Sequence, residues 1–530
     1  MSAGTRPIAP PPALVEPAAP PAPRAGLRGW LALAALMLPV LLISVDNTVL
    51  SFALPQITEQ LRPSAAQQLW IVDAYSLVLA ALLVPMGSLG DRIGRRRLLL
   101  IGASGFALVS LGAAFAPDAT TLIAARAVLG LFGATLMPAT MSLLRTIFLD
   151  PGQRRLAIAV WAAGFAGGAA LGPLLGGVLL EHFWWGSVFL LALPMLLPML
   201  LLVPLLVPES RDPRPGRLDL WGILLTLAAM GAFAGGVKTL AEGALALGSG
   251  LVAAGVALAC LFVRRQLRRP DPMLDMALFR HRGFSTAVLV NILSVIGFVG
   301  FVFVRSQQLQ LVLGLDPIAA GLVLLPGLAV MVLAGLLVVP VARRIGPHAT
   351  IPVSLLFSLA AYLMLAVTPA DAGPGFVALA FALLGLGIGA AETVSNDLIL
   401  ATAPPAKAGA AAAVSETAYE VGALLGTTLI GGALAMIYRS ALLVPQGLSA
   451  PAEAQARETL AGAIALAQEL PAAQGAALRD AAAAAFDAGM SVSAWAGLAL
   501  MLGAILLAAI ALRPRPAGGA ARQGRARSRG

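Results

Sequence analysis

The sequence predicts an all-α polytopic membrane protein with fourteen transmembrane helices. Three observations carry that prediction. The 530 residues are 59% hydrophobic and only 11% charged, whereas soluble domains carry roughly 25% charged residues. Apolar stretches of about 20 residues, enough to cross a bilayer as a helix, recur along the chain. The loops between them alternate between basic and non-basic, which fixes their sides of the membrane.

Other classes fall away on the same reading. The net charge of +10 rests on Arg residues in short loops and tails, so it speaks for topology and not for nucleic acid. The single Cys260 lies in an apolar run, which leaves no disulfide framework. His182, His281 and His348 are scattered, with no metal-ligand spacing. There is no GxxxxGK[ST] phosphate loop and no enzyme constellation, so no cofactor is expected and a proton gradient is the expected drive.

Residues 1–29 are Pro- and Ala-rich and read as a disordered cytoplasmic tail. They lack a signal-peptide design, so the first span acts as an uncleaved anchor. Spans are expected at about 30–54, 67–89, 98–116, 120–144, 154–180, 185–207, 219–241, 246–264, 283–306, 316–341, 349–368, 374–401, 407–437 and 490–512. Basic residues follow the even spans: Arg92 and Arg95–Arg97, then Arg154 and Arg155, then Arg211, Arg214 and Arg217. The series continues with Arg264, Arg265, Arg268 and Arg269, then Arg343 and Arg344, then Lys407, and ends in the Arg-rich tail 513–530. Loops after odd spans hold Asp118, Glu181 with His182, Glu242 and Asp371 instead. An even span number with both termini cytoplasmic follows, and the expected location is the plasma (inner) membrane. The long outside segment 438–489, with Pro445, Pro451 and Pro471, reads either as an interfacial helical hairpin or as a cap over the outer vestibule.

An internal echo divides the chain. Val339–Gly346 repeats the place and pattern of Met86–Gly94, with Arg343 where the first copy has Asp91. This predicts a six-span bundle over 30–207, two inserted spans over 208–265, a cytoplasmic linker at 266–282 and a second bundle over 283–512.

Several motifs then fall on the right spans in the right order. Gly87–Arg97 lies between the second and third spans. Asp46-Asn-Thr-Val-Leu with Ala53-Leu-Pro55 is on the first, and Trp70-Ile-Val-Asp73-Ala-Tyr75 on the second. Ala125-Arg126 with Gly130 and Gly133 is on the fourth, and Gly168–Gly177 on the fifth. Together with Glu416 to Glu420, they resemble the major facilitator superfamily, in its fourteen-span drug/proton antiporter branch of quaternary-ammonium-type multidrug exporters. The resemblance spans about 30–512. It implies proton-coupled efflux of lipophilic cations by a monomer in the lipid bilayer, conferring antiseptic and antibiotic resistance. A dedicated exporter of a lipid-like metabolite, peptide or siderophore, or an assembly factor in the same fold, remains open. The tenth span carries no acid, which leaves a divalent-cation preference open.

A charge at the bilayer centre costs about 3 kcal/mol on insertion scales, so intramembrane charges must face a cavity or each other. Asp46 and Arg126 read as a proton-responsive pair or a static ion pair. Glu416 and Glu420, four apart on one helix face, read as proton-coupling acids, as attractors of a cationic drug, or as neutral acids bonded to Ser415, Thr417 or backbone. Asp73 and Glu392 attract a cation or make structural hydrogen bonds. Lys238 is expected to snorkel to the membrane edge. Helix rise places Asp46 and Asp73 in an outer tier, and Glu392, Glu416 and Glu420 in a central one. Trp161 and Tyr419 are candidate substrate walls, where a cation over a ring gains about 0.5–2 kcal/mol.

Two stretches are expected to gate. In the loop, Gly87 and Gly94 allow a tight turn, and Asp91 with Arg92, Arg95 and Arg96 latches the cytoplasmic side. In the fifth span, Pro173 bends the helix while Gly168, Gly172, Gly176 and Gly177 allow close packing that seals the inner path.

Overall fold

Apolar runs form the helices, and local capping ends them. The computed structural model describes residues 23–513, apart from 212–218, 242, 271, 273, 275, 368–371 and 403–407. Most of both tails, with Arg214, Arg217, Glu242, Asp371 and Lys407, therefore lies outside the described residues. α1 (Leu27–Leu61) stops at Arg62 in the left-handed conformation. α2 (Ala65–Ile93) opens on a capping box in which Ser64 and Gln67 satisfy each other's backbone N–H groups. α3 (Arg95–Ala114) follows after Gly94 alone, whose φ of 109° favours glycine. Asp118 caps α4 (Ala119–Ile147), and Asp150 with Pro151 starts α5 (Pro151–His182). α6 (Ser187–Leu206) closes the first set.

The chain continues with α7 (Leu220–Ala241) and α8 (Leu245–Arg268). α9 (Arg282–Gln307) runs on into a π-helical turn at Gln308–Val312. α10 (Pro317–Ile345), α11 (Pro347–Val367) and α12 (Pro374–Thr402) follow. α13 begins at Ala408–Leu425, widens into a π-helical turn at Gly426–Gly431 and ends as Gly432–Ala441. Two short helices, α14 (Ala450–Glu458) and α15 (Leu460–Glu469), precede α16 (Ala472–Ala511). Among the described residues, thirteen helices are long and apolar enough to cross a bilayer. The 32-residue α5 lies on the fifth predicted span.

Helices α1–α6 pack together as one bundle, and α9–α13 with α16 as a second. The inserted pair α7–α8 forms its own hairpin, whose α7 docks on α2 and on the far part of α13. Asp219 caps α7 at Gly222 and binds Arg265 at 2.8 Å and Arg269 at 3.3 Å, closing that hairpin at the Arg-rich membrane face. Burial alone would raise the Asp219 carboxyl; hydrogen bonds from Arg265 and Gly222 and the two Arg charges outweigh it and hold the carboxyl below its usual range.

The segment 438–489 is helical and seated. Its Ala-rich composition favours helix, and no proline interrupts 472–511, so the last span extends outward as one 40-residue helix. α14 and α15 lie across the face away from the basic loops. Glu458 accepts from Ala65 N–H at the start of α2 and pairs with Arg439 on α13, while Glu469 pairs with Arg62 at 3.0 Å. The geometry is that of a cap touching both bundles.

α5 sets the seam. Its Gly168 and Gly176 lie against α1, where a Cβ would come within 2.7 Å of Ser44 and of Val49; Gly172 meets Thr48 on the same stripe. Gly177 instead faces the other bundle, where a Cβ would lie 2.8 Å from the Ile318 Cα. Gly321 on α10 answers it, with a Cβ 2.6 Å from the Pro173 carbonyl. These cross-bundle contacts sit within about three turns of the end of α5 at His182, far from the basic loop at Pro151. The expected seal is therefore on the other side of the membrane: glycine packing closes the face opposite the basic loops. The reason is that Gly177 and Pro173 lie toward the far end of the helix, where α10 begins.

Gly177→Leu should wedge α5 from α10 and release that closure. In a Cys260→Ala background, Ser306→Cys should then react with an impermeant maleimide, added from the capped face, about fivefold faster, the effect of roughly 1 kcal/mol on a two-state equilibrium. Unchanged labelling would contradict the closure.

Candidate transport site between the two bundles

Asp46 lies 19 residues into α1 and Arg126 seven residues into α4. Arg126 Nη1 donates to Asp46 Oδ2 at 2.6 Å and Nε to the Ile71 carbonyl at 3.1 Å. Its guanidinium carbon lies 4.4 Å from the Tyr75 ring centre. Both charged side chains are almost wholly buried. Gly130 and Gly133 make this possible: a Cβ on Gly130 would fall 2.5 Å from the Tyr75 carbonyl, so α4 meets α2 backbone to backbone. The expected pair is thus a buried ion pair stacked on an aromatic ring.

The expected separation into two tiers does not hold. Glu420, from the second bundle, accepts from Asn47 Nδ2 at 3.4 Å and from the Ser76 hydroxyl, beside the Asp46–Arg126 pair. The cause is helix length. α1 starts and ends beyond the expected span, so Asp46 sits near the middle of 35 residues. Glu420 is 3% exposed, and its Oε2 has no hydrogen-bond partner. Glu416 and Glu392 are half-buried, and Glu416 is within electrostatic reach of both Glu420 and Glu392. Of the alternative partners for these acids, Ser415 donates instead to Asn396, which also accepts from Asn291 at 2.7 Å. Thr417 Oγ1 has no hydrogen-bond partner.

A central cavity of about 20 Å³ is lined by Asn47, Asp73, Ser76, Arg126, Phe298 and Tyr419, among others. One water needs roughly 10–15 Å³, so the space holds water and no organic ion until the bundles part. Tyr419 lines this cavity. Trp161 does not: its indole N–H donates to Thr140 at 3.2 Å, and its ring packs edge-on against Phe165 inside the first bundle.

Asp73 is engaged by two neighbours. Lys238 Nζ lies 2.8 Å from its Oδ2, and Thr428 Oγ1 donates to the same oxygen at 2.6 Å. Lys238 is 1% exposed, with Nζ 3.6 Å from the Trp70 ring centre, and does not snorkel. The docking of α7 on α2 turns this side chain inward, where an ion pair and a ring replace its hydration.

At the basic face, Asp91 pairs with Arg95 at 2.8 Å. The main partner of this loop is Glu209, which the sequence reading overlooked. Its carboxylate accepts from the N–H of Arg96 at 3.0 Å and of Arg97 at 3.3 Å, capping α3, while Arg96 Nη1 donates to the Val207 carbonyl. Gly94 leaves room for it, since a Cβ there would lie 2.7 Å from the Glu209 carboxyl carbon. An anion at a helix start is favoured by the free N–H groups and the dipole. Gly87 packs beside Pro138, and Arg92 is exposed. In this state these contacts tie α2, α3 and the end of α6 within one bundle. The available signal was an acid directly after the sixth span, in Pro208-Glu209-Ser210, at the start of an Arg-rich loop.

Asp46→Ala should leave Arg126 buried and unpaired, at a cost of about 3–5 kcal/mol. Thermal melting in detergent should show a large drop, with most of it recovered in Asp46→Ala/Arg126→Leu. Equal melting of single and double variants would contradict the pairing.

A family model described as Major Facilitator Superfamily matches residues 36–427. The multidrug efflux pump LfrA of Mycolicibacterium smegmatis is 53% identical, over 92% of this chain and 97% of its own length. The methyl viologen resistance protein SmvA of Salmonella typhimurium is 38% identical, over 90% and 97%. A solved structure of a bacterial homolog of the lysosomal transporter Spinster, inward-facing and unoccupied, shares the fold at a TM-score of 0.62 and 18% identity, covering 92% of this chain and 97% of that one. With its two six-helix bundles, inserted helix pair and buried charges at the seam, the chain belongs to the Major Facilitator Superfamily of membrane transporters.

Proposed function

We propose that this protein is a proton-coupled multidrug efflux antiporter that exports lipophilic cations by alternating access. The observation that carries the reading is Glu420: a carboxylate of one bundle bonded to Asn47 and Ser76 of the other, next to Asp46–Arg126. A proton arriving there changes a contact that holds the bundles together, so protonation and opening act on one place. Names of relatives support export of drugs, and a relative named for methyl viologen resistance supports a cationic substrate.

The basic loops lie in the cytoplasm on this reading, with both termini, and the working unit is the monomer. The state described then faces inward, with Gly177–Ile318 and the cap closing the outside. A lipophilic cation enters from the cytoplasm or inner leaflet. The half-buried Glu416 and Glu392 attract it and Tyr419 offers a ring face. Cation binding favours ionised carboxylates, and protons from outside favour release; opposed binding at shared acids couples the two flows. The loop at Gly87–Arg97, held by Glu209, moves as part of the first bundle and guards the cytoplasmic side.

A relative named as a tetracenomycin C resistance and export protein, 32% identical over 93% of this chain, favours a second reading: a dedicated exporter of one lipid-like metabolite. Substrate breadth separates them. In proteoliposomes with an imposed pH gradient, wild-type protein should move both ethidium and benzalkonium. Asp46→Asn and Glu420→Gln should each slow this about 5–150-fold, the range of a 1–3 kcal/mol coupling. Movement without a gradient, or full activity in both variants, would contradict proton coupling; failure to move either cation would favour the dedicated exporter.

A further inference from the structure

Asp73 lines the central cavity, yet its carboxylate is already held from the side of the inserted helices. Oδ2 takes Lys238 Nζ at 2.8 Å and the Thr428 hydroxyl at 2.6 Å, while Oδ1 has no hydrogen-bond partner. The Lys238 ammonium also lies 3.6 Å from the Trp70 ring centre. Trp70 and Asp73 are three apart on α2, so indole and carboxylate flank one point on one helix face. Thr428 comes from the π-helical turn of α13, so both bundles build the spot.

A buried carboxylate beside an indole face is chemistry that selects organic ammonium ions. Here that ion is supplied by the chain itself, on a flexible four-carbon stem. We propose that Asp73, Trp70 and Thr428 form a second cation site at the edge of the central cavity, filled by Lys238 in the closed state and taken by an organic ammonium ion when Lys238 withdraws. Two cations on one buried carboxylate repel each other, so occupancy is exclusive. Lys238 is then an intramolecular competitor, and the inserted pair α7–α8 contributes to ion selection as well as to packing. The class of ion rests on the cation-export reading; the test reads binding and not transport, so the two fail separately.

The test is calorimetric binding of benzyltrimethylammonium to the purified full-length protein in detergent at pH 8.5. Lys238→Ala should bind with about tenfold lower Kd than wild type. Lys238→Ala/Asp73→Asn should lose that gain. Lys238→Arg, which keeps the tethered charge, should bind as wild type. Should Lys238→Ala fail to give monodisperse protein, Lys238→Met replaces it with the same expectation. A Kd unchanged from wild type, or a gain that persists without the Asp73 carboxylate, overturns the site. Wild-type efflux of ethidium alongside either result would leave export standing.

Discussion

A charge inside a bilayer must find a partner, and for three buried acids of this chain the partners come from other helices. Asp46 finds Arg126, Asp73 finds Lys238, and Glu420 finds Asn47 and Ser76 across the seam. Each pairing brings together elements that hydrophobic packing alone would leave free to slide, because lipid gives apolar helix faces no preference for one neighbour. The first pair fixes α1, α2 and α4 within a bundle. The second ties the inserted α7 to α2. The third joins the bundles, which makes it the place where a change in charge has the widest structural effect.

Small residues set how close those partners come. Gly130 and Gly133 bring α4 onto α2, and so bring Arg126 to Asp46. Gly168, Gly172 and Gly176 lay α5 on α1, while Gly177 and Gly321 bring α5 and α10 together near the capped face. The bundles meet where α5 packs on α10 and α2 packs on α13, and polar contacts such as Ser306 to the Ser51 carbonyl cross the same seam. Two packed bundles joined along one seam suit rocking between two states.

Helices and their order were legible because each span is a long apolar run, and the alternation of basic loops gave the even count. Asp46–Arg126 was legible through the resemblance of its motifs. What the sequence hid was rotation and depth. Lys238 stood at the right height, but whether it faced lipid or α2 depended on where α7 docks. Depth counted from span ends separated Glu420 from Asp46, because α1 proved to be 35 residues long. Trp161 shared a helix with the α5 glycines yet points into its own bundle, at Thr140. Glu209 was lost among arginines, although an acid just after the sixth span is well placed to cap a neighbouring helix.

The central claim is that proton and cation compete at a carboxylate that also holds the seam. Proton release on substrate binding tests it most directly. Purified protein in weakly buffered detergent, mixed with tetraphenylphosphonium, should release protons to a pH indicator, and Glu420→Gln should release markedly fewer. No release from wild type, or equal release from Glu420→Gln, would contradict the account.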